Sequence, residues 1–169
     1  MKEKMDFCPP ISKILSYSNG ANLFLGSIAA RSPLILIQND IDVVVSIISP
    51  IVQLSPLPSH IQRFAFYLDD VPTADITQFF MTSSKKIYQA ILHGKNVLVH
   101  CHAGISRSTS LVVAYILYCM KFYPRAVPKI NKIPSYSQNI LKLIREARSC
   151  VHPNSGFMQQ LLAFEKSLL

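Results

Sequence analysis

Asn96-Val-Leu-Val-His100-Cys101-His102-Ala103-Gly104-Ile105-Ser106-Arg107-Ser108, followed directly by the apolar run Leu111–Met120, decides how this chain is read. The opening residues form a short, almost unbroken apolar run, the pattern of a strand buried on both faces. The closing run predicts a buried helix from about Thr109 to Lys121, with the helix N-terminus near Arg107. A strand that feeds through a glycine-bearing loop into a helix points to α/β layering. In such sheets, ligands bind beyond the carboxyl ends of the strands. The loop aims several backbone N–H groups at one point, and the positive helix end adds to them, which makes a nest for an oxyanion.

The flanking sequence supports the same layering. Val43–Ile48 is β-branched throughout except for Ser46 and predicts a central strand. Asn22–Gly26 reads as a short strand closed by glycine, and Ile61–Leu68 as another. Ile76, Phe79, Phe80, Ile87, Ala90 and Ile91 recur at helical spacing, with Thr73 or Asp75 as cap and Gly94 as terminator. Pro124, Pro128 and Pro134 make 122–137 an exposed loop. Helices are expected over 138–149 and 154–169, the second capped by Asn154. Strands alternating with helices predict an α/β fold with a central, mostly parallel, twisted sheet flanked by helices.

The chain has 169 residues, of which 50% are hydrophobic and 15% charged, and a mean hydropathy of +0.28. That excludes a disordered chain, a collagen-like one and a disulfide scaffold. The ten-residue run Leu111–Met120 falls short of the roughly 20 residues a membrane span needs. The start, MKEKMDFCPP, shows no apolar leader, so a cytoplasmic and/or nuclear protein is expected. Cys8, Cys101, Cys119 and Cys150 include no CxxC pair and are expected as free thiols, Cys119 in the core and Cys8 and Cys150 as bystanders. The net charge is +8, and seven basic residues between Lys121 and Arg148 face only Glu146. Segment 121–148 is therefore either a solvated basic face or a contact for an anionic partner.

Cys101 lies at the mouth of the predicted nest, where the field that holds an oxyanion also favours a thiolate. Gly104 allows the tight turn. Arg107 can fold back and offer a planar fork to phosphoryl oxygens. Ser108 can donate to the sulfur. Backbone from His102, Ala103, Gly104, Ile105, Ser106 and Arg107 forms the expected phosphate cradle. A zinc reading of His100-Cys101-His102 is weak, because successive strand positions point to opposite faces and no distant ligand cluster completes a set. No metal and no cofactor are expected.

The string His100–Ser108 resembles the signature HCxxGxSRS of the dual-specificity protein phosphatases, within the cysteine-dependent tyrosine phosphatase superfamily. Ala114-Tyr-Ile-Leu117 resembles that family's AYLM segment, and Asn22–Gly26 its LYLG strand. Pro153-Asn-Ser-Gly-Phe157 with Gln160, Leu161 and Glu165 resembles its PNxGFxxQLxxYE ending. The likeness covers about residues 20–169. It implies one catalytic domain of the small, atypical kind, with 1–19 as an N-terminal extension and about 122–137 as a proline-containing insert. It further implies hydrolysis of phosphotyrosine and phosphoserine/phosphothreonine in phosphoproteins, with Cys101 as nucleophile, Arg107 as transition-state clamp, Ser108 assisting the sulfur and His100 supporting the loop. The family's general acid maps onto Asp70, with Asp69 as runner-up. The loop has no lysine, which disfavours a lipid substrate. AGISRST in place of HGxNRTG disfavours, without removing, an RNA 5′-phosphatase. A non-catalytic phosphate-binding adaptor is the third reading.

Overall fold

Runs of valine, isoleucine and leucine at separate places in the chain come together as one five-stranded sheet. The computed structural model describes residues 8–169. Its strands are β1 Ile11–Ser16, β2 Asn22–Gly26, β3 Ile41–Ile48, β4 Gln62–Tyr67 and β5 Asn96–His100, in the order β1-β2-β5-β3-β4. β1 runs antiparallel to β2, and every other pairing is parallel. The mostly parallel sheet expected from the sequence is therefore present. β5 lies centrally, with His100 in register with Gly26 of β2 on one side and Ser46 of β3 on the other. The loop after β5 thus leaves the sheet at its middle, between two strands that hold its base.

Helices α2 Thr77–Leu92, α3 Arg107–Phe122, α4 Tyr136–Ala147 and α5 Ser155–Leu168 pack on one face. There Val43, Val45, Val97 and Val99 meet Phe80, Ile87, Ile140, Ile144, Phe157 and Leu161. α3 is surrounded on all sides: every residue from Arg107 to Cys119 is buried. That is why its sequence is apolar all round rather than amphipathic. The opposite face is covered more thinly, by α1 Pro33–Gln38 and a 3-10 turn at Ile28–Arg31. No helix among the described residues is long and apolar enough to cross a membrane.

Several expectations need correction. Residues 11–16, read as part of an N-terminal extension, form the edge strand of the sheet; residues 1–7 of that extension lie outside the described residues. α1 had no counterpart in the sequence reading. α2 begins at Thr77, with Asp75 Oδ1 accepting from the Thr77 amide at 3.0 Å. Within 122–137 the chain makes only a 3-10 turn at Pro124–Ala126 before α4 starts at Tyr136. Cys8 and Cys150 are not free thiols: they form a disulfide with Cα atoms 5.8 Å apart. The antiparallel β1 places the residues just before it beside the end of α4, where the Pro9 carbonyl accepts from Arg148. Cys119, by contrast, is a free thiol buried in the core as expected, and burial pushes that thiol up to about 12.

Candidate active site

Six consecutive carbonyls decide the shape of the loop after β5. Cys101 O accepts from His100 Nδ1, and His102 O from the Ile28 amide. Ala103 O and Gly104 O accept from Arg148, Ile105 O from the His152 amide, and Ser106 O from the Ser110 amide and hydroxyl. Each is taken by a donor of the surrounding scaffold. In a trans peptide the C=O of one residue and the N–H of the next point in opposite directions. Carbonyls of 101–106 turned outward therefore turn the N–H groups of His102, Ala103, Gly104, Ile105, Ser106 and Arg107 inward. The Gly104 amide shows that direction directly, donating to Cys101 Sγ at 3.2 Å. Gly104 has φ +70, and a Cβ there would lie 2.5 Å from the Gly26 carbonyl oxygen, so no other residue fits the turn.

Cys101 is 1% exposed, and its sulfur also accepts from Ser108 Oγ at 3.1 Å. Two donors on one sulfur stabilise negative charge there. Arg107, at the first turn of α3, donates through Nη1 to the Leu68 carbonyl at 2.9 Å, while its Nε is buried without a hydrogen-bond partner. A buried guanidinium N–H that makes no hydrogen bond, beside a ring of inward amides, is a donor held ready for an oxyanion. The side chains of His102 and Ala103 are exposed at the rim, and Ile105 is half-buried.

Asp70 comes to this site from the loop between β4 and α2. Its Oδ1 accepts from Ser106 Oγ and Asn154 Nδ2, both at 2.8 Å, and its Oδ2 lies 3.8 Å from Arg107 Nε. Asp69 turns away and accepts from Ser49 Oγ. Of the two candidates, Asp70 is the one beside the cradle. Asp75, two residues before α2, makes only local bonds, accepting from the Thr77 amide and hydroxyl and, through its carbonyl, from Gln78.

His100 is fully buried and anchors a directed chain of hydrogen bonds. Arg31 Nη1 donates to Ser46 Oγ at 3.3 Å. Burial lowers the His100 pKa to about 4, so the ring is neutral at neutral pH. Nδ1–H donates to Cys101 O at 3.0 Å, so Nε2 accepts from Ser46 Oγ at 2.7 Å. The ring is thereby committed to holding the loop. Among the described residues no group of three or more His, Cys, Asp or Glu side chains is gathered as a metal site.

Sequence reasoning missed two residues. Arg148, counted with the basic face, is 1% exposed. Its Nε reaches Gly104 O at 2.9 Å and its Nη2 reaches Ala103 O at 3.2 Å, so it braces the back of the cradle. Asn154, expected only as a cap, does cap α5 through Oδ1 to the Phe157 amide, but its Nδ2 holds Asp70. The PNxGF-like segment was the available signal for Asn154. Nothing in a local pattern marks Arg148.

The model for the dual specificity phosphatase catalytic domain matches residues 23–167. The chain belongs to this family. Dual specificity protein phosphatase 22 of Mus musculus is 39% identical over 97 residues, covering 57% of this chain and 46% of that protein. The chain thus spans about half the length of the curated relatives it matches. The crystal structure of DUSP15 superposes with a TM-score of 0.72 at 32% identity, covering 92% of this chain and 86% of that one. A human tyrosine phosphatase-like serine/threonine/tyrosine-interacting protein does so with 0.75 at 26% identity, covering 93% and 96%.

Proposed function

We propose that the chain is a protein phosphatase that hydrolyses phosphotyrosine and phosphoserine/phosphothreonine monoesters through a cysteinyl-phosphate intermediate. The observation that carries this reading is the buried Cys101 sulfur under six inward amides, with Asp70 on the facing loop. A phosphoryl group seated in the cradle presents phosphorus to the sulfur. Cys101 thiolate forms the S–P bond as the P–O bond to the substrate breaks, and protonated Asp70 gives its proton to the departing oxygen. Asp70 Oδ1 is already occupied by two donors, which leaves Oδ2 to carry that proton. Ionised Asp70 then takes a proton from water as that water attacks phosphorus, and the S–P bond breaks to free phosphate. Ser108 Oγ stabilises the sulfur as it leaves. Arg107 and the amides hold the charge on the equatorial oxygens, which is most of the catalysis in a loose phosphoryl transition state.

The basic segment supplies the second part of the reading. Lys142 and Arg145 are exposed and line a groove with His152, whose amide is tied to Ile105 of the loop. An acidic stretch flanking the phosphorylated residue fits that rim. The interacting protein named above keeps an adaptor reading in view. A binder needs only the cradle; a sulfur held by two donors favours turnover.

The test is hydrolysis of p-nitrophenyl phosphate, phosphotyrosyl and phosphoseryl peptides, and triphosphate-ended RNA. Peptide turnover that vanishes in Cys101→Ser supports the proposal. Turnover confined to RNA, or binding without turnover, overturns it.

A further inference from the structure

Beyond His100, on the thinly covered face of the sheet, lies a second concentration of positive charge that the proposed mechanism does not use. Arg31 ends the 3-10 turn and is 6% exposed. Nη1 reaches Ser46 Oγ and Nη2 the Ser55 carbonyl, but Nε is buried with no partner. With Ser46, Gln53, Arg63 and Tyr67 it lines a cavity of about 500 Å³. Among the described residues the sole ion pair is Arg107–Asp70, so neither Arg31 nor Arg63 has a carboxylate. Burial first, and the like charge of Arg63 second, lower the pKa of Arg31. A guanidinium taken out of water without a counter-charge is costly, and a second one beside it raises that cost. An oxyanion in the cavity supplies the counter-charge that both guanidinium groups lack.

We propose that this cavity is an accessory oxyanion subsite for an anionic side chain, phosphoryl or carboxylate, of the same peptide whose phosphoryl group occupies the loop after β5. The inference rests on the phosphatase reading. Ser46, on the cavity wall, is in register with His100 on one side and Ala65 on the other, and Arg63 stands two residues before Ala65. With strands about 4.8 Å apart and a rise of about 3.3 Å per residue, the Cα atoms of Arg63 and His100 are roughly 12 Å apart. An extended peptide at about 3.4 Å per residue covers that distance in three or four residues. Tyr67, exposed at the end of β4, lines the cavity on the strand that leads into the Asp70 loop.

The experiment measures kcat/KM on phosphopeptides that carry a second phosphoserine, a glutamate or a glutamine at each position within four residues of the scissile group. The wild type should prefer an anion over glutamine by at least about tenfold at one of these positions, the equivalent of one charge-assisted hydrogen bond. Arg63→Gln should reduce that ratio to near one, and Arg63→Glu should invert it. The phosphoserine and glutamate arms separate the two sources of the oxyanion. Arg31→Met, checked by thermal melting, provides the buried half of the test. A wild type that hydrolyses p-nitrophenyl phosphate yet treats all the peptides alike overturns the inference and leaves the phosphatase reading standing. A preference that survives Arg63→Gln also overturns it. If turnover is absent, the phosphatase reading has failed; the affinities of the same peptides, by fluorescence anisotropy, then decide the cavity by the same ratios.

Discussion

Asp70 is held by Ser106 and Asn154 against the cradle, whereas Asp69, one position earlier, is engaged by Ser49 on the outer side. The chain bends at Asp70 and sends the two neighbouring carboxylates to different partners, so the geometry favours Asp70 where motif counting leaves both. Asp70→Asn should lower kcat on phosphopeptides by about 10²-fold or more, with KM little changed, while Asp69→Asn stays within a few-fold of wild type. Steady-state kinetics of both variants check this, and a crippled Asp69→Asn reverses the assignment. Arg148 is the other residue-scale case. Arg148→Met keeps the bulk but leaves the carbonyls of Ala103 and Gly104 without their donor. Each buried unsatisfied group costs about 1–3 kcal/mol. Denaturant unfolding should therefore show a loss of at least about 2 kcal/mol, and turnover should fall on every substrate alike because the cradle itself loosens. Unchanged stability would remove Arg148 from the role of brace. The sequence could not show this role, since composition counts a cation without showing whether it is buried.

At the scale of elements, α5 does more than close the core. Gln160 Nε2 donates to Ala74 O and its Oε1 accepts from the Ile76 amide, both at 2.9 Å, so the loop carrying Asp70 is gripped from α5. A Cβ on Gly156 would fall 1.9 Å from the Pro72 carbonyl oxygen, so loop and helix touch backbone to backbone. Gly156→Ala must push the loop outward and carry Asp70 with it. Turnover should fall by about tenfold or more, because small misplacements of a catalytic group are costly. p-Nitrophenyl phosphate, whose leaving group needs little protonation, should suffer less than a phosphoseryl peptide. Equal losses on both would refute the displacement. Glu165 similarly caps α4, accepting from the Tyr136 and Ser137 amides and the Ser137 hydroxyl. Elements that were legible have long or fully apolar signatures: β3, β5 and α3 are buried on every side, so pattern and burial coincide. β1 and α1 were not legible for opposite reasons. Ile11–Ser16 is an edge strand with a broken register at Lys13/Leu15, so its alternation is blurred. Pro33–Gln38 is too short for a helical period to show, and it is fixed by Ser32 accepting from the Ile35 amide.

For the whole molecule, the fold places a neutral histidine at the junction of both faces of the sheet, and this makes stability depend on pH. His100 bonds to Ser46 on one side and to the Cys101 carbonyl on the other, and protonation would place a charge in a fully buried position near Arg31. Its pKa falls from 6.5 to about 4 on folding, chiefly through burial. Between those values the unfolded chain binds more protons than the folded one, so unfolding is favoured as pH falls. The stabilisation is complete above about pH 6.5, shrinks on the way down to about pH 4, and changes no further below that. The full span corresponds to about 3 kcal/mol. Other groups titrate in the same window, so the measurement is a difference. Urea unfolding of wild type and His100→Gln is compared at pH 7, 6, 5 and 4. The glutamine variant is less stable at pH 7, having lost a ring that bridges Ser46 and Cys101 O, but the gap should narrow by about 3 kcal/mol as pH falls to 4. A gap of constant size across that range would mean that His100 is not a buried neutral brace.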